Sequence, residues 1–255
     1  MQLTGFDGAH ALVTGAAGGI GLAATRILAA SGTRVFATDL PVALEEAPEI
    51  ANVTWSPLDV SDPQAVTAAI ARAEASAPLD LGLHAAGILL LDSMLETTPQ
   101  DWQRVFDVNT HGTFYVTQGL GRVMVPRKRG AIVSVASNSA GIPRLGMGGY
   151  PASKAAAMMA VRCLGLELGE HGIRCNVVAP GSTLTPMQTA MWDDPQAGAE
   201  AVIAGSLPGF KSGIPLGKLA TPEDIARAAI FLLSEEAGHI TMADLYVDGG
   251  ATLRA

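Results

Sequence analysis

Short apolar runs alternate along the 255 residues with longer stretches whose apolar positions recur every three to four residues. Near-continuous apolar runs are what strands buried on both faces look like, and the longer stretches read as the helices that cover them. The alternation predicts βαβ units around a parallel sheet. Strands are expected at residues 10–14, 34–38, 53–58, 81–85, 131–135, 173–178 and 245–247. Helices are expected at 19–30, 63–76, 99–109, 112–125, 150–169 and 222–234. Between 182 and 219 the periodicity fades in a stretch rich in Gly, Pro and Met. A long irregular stretch in a compact domain is usually functional, so a substrate lid is expected there, with a plain surface excursion as the alternative. No repeat or low-complexity linker interrupts the chain. The expectation is one α/β domain over 1–255, a doubly wound parallel sheet with helices on both faces.

Composition narrows the function. An apolar fraction of 49% with 5% aromatics suits an Ala/Val/Leu/Gly-rich α/β core. The net charge is −8 and no long basic run exists, which argues against nucleic acid as a partner. The short Arg127-Lys128-Arg129 cluster precedes a glycine and reads as cations at a helix end. The first residues show no basic segment followed by an apolar one, and no uncharged apolar stretch is long enough for a bilayer. A cytoplasmic enzyme with a small-molecule substrate and no membrane partner is the expectation. Cys163 and Cys175 fall in apolar segments and read as reduced core thiols, and no metal site is expected.

Two constellations carry chemistry. Thr14-Gly15-Ala16-Ala17-Gly18-Gly19-Ile20-Gly21 lies between the first strand and its helix. Glycines there let backbone approach a diphosphate at a helix N-terminus. Asp39 ends the second strand, where a carboxylate can accept from adenosine ribose hydroxyls and repels a 2′-phosphate. No Arg or Lys follows it, so NAD is expected over NADP. Asp59-Val60 follows the third strand and could meet adenine, or Asp59 could be an ordinary turn residue. At the other end, Tyr150 and Lys154 stand four apart at the start of a helix, hence on one face. They are either two polar groups on a solvated face or a phenol beside a cation. In the second case the ammonium favours the phenolate, and bringing a phenol from about 10 to about 7 requires roughly 4 kcal/mol.

Taken together, residues 14–21, Asp59, Ala85-Ala86-Gly87, Asn109, Ser137, Tyr150-x-x-x-Lys154 and Pro180-Gly181 resemble the short-chain dehydrogenase/reductase family over nearly the whole chain. The resemblance implies a Rossmann-type fold and a catalytic tetrad of Asn109, Ser137, Tyr150 and Lys154. Ser137 would orient the substrate hydroxyl, Tyr150 would take its proton, and Lys154 would lower the phenol pKa and hold the nicotinamide ribose. Asn109 would anchor a relay water. Cofactor contacts would come from Gly15, Gly19, Ile20, Gly21, Asp39, Asp59, Val60, Ala85, Ala86, Gly87, Pro180, Gly181, Thr183 and Thr185, besides Tyr150 and Lys154. His84 departs from the family's usual Asn and is expected to be a packed strand-end residue. Relatives are commonly tetramers, so a homotetramer is expected.

A closer likeness, in residues 131–137, 143–147, 172–178, 180–183, 210–218 and 238–241, is to members that oxidise a cyclic dihydrodiol carboxylate to a catechol acid used in siderophore assembly. It implies a carboxylate partner. Arg144 is the first candidate, because guanidinium matches carboxylate in bidentate fashion, and Lys211 the second. Met147, Met187, Met191 and Trp192 could wall a flat ring or be ordinary apolar cover. The same chemistry on a dihydro-hydroxyanthranilate, a general secondary-alcohol dehydrogenase or ketoreductase, and a dinucleotide-binding module without turnover remain as alternatives.

Overall fold

The computed structural model describes residues 3–253. Seven parallel strands form one sheet in the order β3-β2-β1-β4-β5-β6-β7. They are β1 (His10–Thr14), β2 (Arg34–Asp39), β3 (Val53–Pro57), β4 (Leu81–His84), β5 (Gly130–Val135), β6 (Ile173–Pro180) and β7 (Asp244–Val247). The helices are α1 (Gly19–Ala30), α2 (Pro41–Leu44), α3 (Pro63–Ser76), α4 (Pro99–Phe106), α5 (Gly112–Met124), α6 (Tyr150–Gly169), α7 (Pro186–Thr189), α8 (Pro195–Ala204) and α9 (Pro222–Leu233).

Side-chain alternation along the strands builds two cores. Val13 of β1, Leu83 of β4 and Val133 of β5 face α1 and α9, whose small residues Ala24 and Ala229 are fully buried. Leu12 of β1 and Ile132 of β5 face α3, α5 and α6, packing with Ile70, Leu120 and Val161. The chain runs outward from β1 to β3 and returns with β4 beside β1. That reversal opens a crevice at the carboxyl ends of β1 and β4, where ligands bind in folds of this kind.

Three local features differ from expectation. The helices at 99–109 and 112–125 are not separated: α4 runs into α5 through a π-helical turn, Asp107–His111, that contains Asn109. Residues 182–219 are not wholly irregular, because they hold α7 and α8. Each starts with a side-chain cap and a proline at the first turn: Thr185 accepts the Gln188 N–H, and Asp194 accepts those of Gln196 and Ala197. Neither helix buries a residue, so neither has an apolar stripe to betray it. The basic cluster at 127–129 lies at a helix end as expected: a 3-10 turn, Val125–Arg127, continues α5 and carries Arg127 in its last turn, with Lys128 as its C-cap. Arg127 also pairs with Glu74, and Arg129 with Asp80. Of the two free cysteines, Cys175 is buried as expected but Cys163 is exposed on α6. No helix among the described residues is long and apolar enough to cross a membrane.

Candidate active site

A cleft of about 1240 Å³ lies over the crevice. Its floor is the turn between β1 and α1, and its walls carry Asp39, Asp59, Val60, Ala85, Ala86 and Gly87, with Thr185 and Met187 above. The turn is built for close backbone approach. Gly15 adopts φ +66°, and a Cβ there would stand 2.6 Å from the Ala86 nitrogen. A Cβ on Gly21 would stand 2.0 Å from the Gly15 carbonyl oxygen. α1 therefore presents bare N–H groups, with no side-chain cap at Gly18 and no acidic residue in its first turn. That cradle fits the diphosphate of a dinucleotide.

Asp39 closes one end of the cleft. Its carboxylate accepts the Ala17 N–H at 3.0 Å and the Leu40 N–H at 2.8 Å, which fixes it at the mouth of the turn. Asp59 accepts both the N–H and the hydroxyl of Ser61, so it also shapes its own turn. Ile20 and Gly19 line the floor. Pro180 ends β6 and Gly181 follows it, its N–H bonding to the Val247 carbonyl. Thr183 is buried and pairs with Ala220, which carries the chain into the segment holding α7.

Beyond Gly87 the tetrad residues come together. Ser137 follows β5, and Tyr150 and Lys154 open α6. The Lys154 Nζ lies 6.0 Å from the centre of the Tyr150 ring and donates to the Val135 carbonyl at 3.2 Å. A Cβ on Gly87 would meet that Nζ at 2.9 Å and the Asn109 Oδ1 at 3.1 Å, so the backbone of Gly87 touches both groups. The Asn109 amide is a brace. It accepts the Ile88 N–H and donates to the Ile88 carbonyl, both at 2.9 Å, and donates to Ser153 Oγ at 3.0 Å. Ser153 in turn donates to the Tyr150 carbonyl at 2.8 Å. The amide expected to anchor a relay water is thus committed to holding the loop after β4 against α6. The π turn puts Asn109 where it can do so, as such turns often do at functional sites.

The electrostatics depart from expectation. Burial pushes the Tyr150 phenol above its ordinary pKa, and a hydrogen bond from Ser137 offsets only part of that. The expected downward shift is outweighed because a buried phenolate loses its hydration. Burial also lowers the Lys154 ammonium to about 8. His84 is fully buried, as expected of a packed residue; its Nδ1 shares a 2.8 Å hydrogen bond with Thr14, while its Nε2 has no partner among the described residues. Burial first, and the Lys154 charge second, depress its pKa to about 3, so the ring is neutral.

The candidate substrate contacts separate. Arg144 is half-buried in the loop after Ser137; burial lowers its pKa and the charge of Asp248 raises it. Asp248 is itself buried and accepts from Asn138 Nδ2, the Gly250 N–H and both the N–H and hydroxyl of Thr252. Lys211 lies on an exposed turn, its backbone paired with Ser206, and lines neither cavity. Met187 and Met191 line a smaller pocket of about 440 Å³ joined to the cleft at Gly87 and Ile88. Trp192 instead packs on Gly198, and Met147 offers the Tyr150 N–H its carbonyl at 3.0 Å. Ser153 and Asp248 carry no mark in the sequence beyond the i,i+3 spacing of Ser153 from Tyr150.

A family model described as enoyl-(acyl carrier protein) reductase matches residues 15–252. The 2,3-dihydro-2,3-dihydroxybenzoate dehydrogenase of Bacillus subtilis (strain 168) is 46% identical, with 99% of each chain covered. The protein of that name from Escherichia coli (strain K12) is 42% identical over 98% of this chain and 99% of its own. Among solved structures, a short-chain dehydrogenase/reductase family protein aligns with TM-score 0.82 at 32% identity, covering 96% of this chain and 98% of that one. With that sheet order, that glycine turn and these relatives, the chain belongs to the short-chain dehydrogenase/reductase family.

Proposed function

We propose that the protein oxidises 2,3-dihydro-2,3-dihydroxybenzoate to 2,3-dihydroxybenzoate with NAD⁺, in the cytoplasm, for siderophore assembly. The observation that carries this reading is the gathering of Ser137, Tyr150 and Lys154 beside Gly87, where the cofactor cleft meets the smaller pocket. The relatives' names supply the substrate class. Asp39, fixed at the end of β2 with no cation in the turn, supports NAD over NADP.

The nicotinamide, when bound, supplies the hydride acceptor. Ser137 orients the carbinol by a hydrogen bond, and Tyr150, once ionised, takes the hydroxyl proton as the carbinol C–H leaves with its electron pair. Lys154 offsets the negative charge on the phenolate, and Asn109 holds Ile88 and Ser153 so that the groups keep their spacing. The ketone formed loses a ring proton and gains one on oxygen, which makes the ring aromatic and drives the reaction forward. Arg144 is the carboxylate partner, with Met187 and Met191 covering the ring and residues 182–219 acting as the lid. Exposed Phe114 on α5 and Met159 and Leu166 on α6 support subunit packing in a homotetramer.

The test is NADH formation from the dihydrodiol acid. Tyr150→Phe is expected to lose at least two orders of magnitude in turnover and keep its NADH affinity. Arg144→Ala is expected to raise KM for the acid about tenfold and leave a neutral cyclic diol unaffected. Dinucleotide binding with no NADH from any cyclic dihydrodiol acid would overturn the assignment.

A further inference from the structure

The walls of the cleft are acidic: Asp39, Glu46, Asp59 and Asp107 all line it. A dinucleotide brings two more negative charges. Among the described residues only one cationic side chain lines either cavity, and it is Arg104, which borders both. Arg104 lies on α4 with Gln100 and Gln103, and Asp107 follows in the π turn; residues three and four apart turn one helical face to the cleft.

Its local carboxylates are already engaged. Asp101, three residues before, accepts the Thr98 hydroxyl at 2.7 Å. Asp107, three residues after, accepts Gln103 Nε2 at 2.7 Å and lies 3.0 Å from His111 Nδ1. Arg104 itself forms no side-chain hydrogen bond or ion pair among the described residues and is exposed toward solvent. A free guanidinium on a helix with acids on either side, at the edge of a cleft meant for an anion, is available to that anion. Its fork also matches two phosphate oxygens at once.

We propose that Arg104 is the cation that receives the cofactor's diphosphate, from the wall opposite the α1 turn. The N–H groups of α1 hold the diphosphate from below and Arg104 closes over it from α4, near Met187 of the lid. This deepens the dinucleotide reading and rests on it. It adds an exposed counter-charge at the acidic end of the cleft, away from Lys154 behind Gly87, and makes cofactor affinity depend on salt, because exposed charges are screened within about 10 Å at 0.1 M salt.

The experiment compares ADP-ribose with adenosine, by calorimetry on the full chain, for wild type and Arg104→Gln. The variant should fold normally, since the side chain is exposed. ADP-ribose affinity is expected to fall roughly three- to tenfold, with adenosine unchanged and the salt dependence reduced. Arg104→Lys should recover part of the loss. Equal weakening of both ligands, or no change in ADP-ribose affinity, would overturn the proposal. So would a raised KM for the acid substrate with ADP-ribose binding intact, which would assign the guanidinium to the substrate's carboxylate. Wild-type protein that bound neither ligand would overturn the dinucleotide reading and this inference together. Tight ADP-ribose binding without diol oxidation would sink only the substrate.

Discussion

Lys154→Met is expected to make the protein more stable at neutral pH while removing its activity. The ammonium is almost entirely buried, and burial lowers its pKa from 10.5 to about 8. The unfolded chain therefore holds its proton more tightly than the native one. At pH 7 that difference costs the native state about 3 kcal/mol. Methionine fills similar volume without the charge. It forfeits the hydrogen bond to the Val135 carbonyl, worth about 1 kcal/mol. The net gain is about 2 kcal/mol at pH 7, or roughly 4–8 °C in Tm. The sign follows from linkage: between pH 8 and 10.5 the unfolded state binds more protons, so wild-type stability rises with pH and the variant's advantage shrinks. Above that window only the lost hydrogen bond remains, and the variant becomes the weaker by about 1 kcal/mol. Urea titrations of both proteins at pH 7 and pH 10, without cofactor, measure the difference directly. A variant less stable at pH 7, or a difference that does not change with pH, would refute the reasoning.

Other outcomes are expected from the same geometry. His84, depressed from 6.5 to about 3, makes the native state bind fewer protons in that window, so stability falls as pH drops through it; the full loss is on the order of 5 kcal/mol. His84→Asn should therefore move the acid-unfolding midpoint to lower pH, and an unchanged midpoint by circular dichroism would count against the assignment. Gly15→Ala combines a positive φ with a Cβ 2.6 Å from the Ala86 nitrogen, so fluorescence titration should find NADH affinity reduced at least tenfold, with a lower Tm.

Long-range order in this chain was readable where a local signal carried it. Helices α1, α3 and α6 and strand β1 have the bounds expected of their apolar periods. β2 and β6 continue to Asp39 and Pro180, because a parallel neighbour keeps pairing there: Asp39 with Pro57, and Ala179 and Pro180 with Tyr246 and Val247. α7 and α8 escape a period-based reading because no face of either is buried, although Thr185-Pro186 and Asp194-Pro195 are start signals in their own right. At the site, Ser137, Tyr150 and Lys154 are legible by residue type and spacing. The Asp248 cluster is not, since its bond to Asn138 joins residues 110 positions apart and only the fold brings them together. The upward push on Tyr150 is also invisible in sequence, where neighbours can be named but burial cannot.

The extra residue in the turn from Asp107 to His111 widens one turn of a long rod without breaking it. Deleting a single amino acid there would let α4 and α5 join in regular α-helical register with little rotation of either half, because a π turn takes up one residue more than an α turn. Such a chain would keep its hydrophobic stripes and its seven strands, yet swing the carboxamide of Asn109 away from Ile88 and Ser153. A length change too small to threaten the fold would then separate the two walls of the reaction chamber.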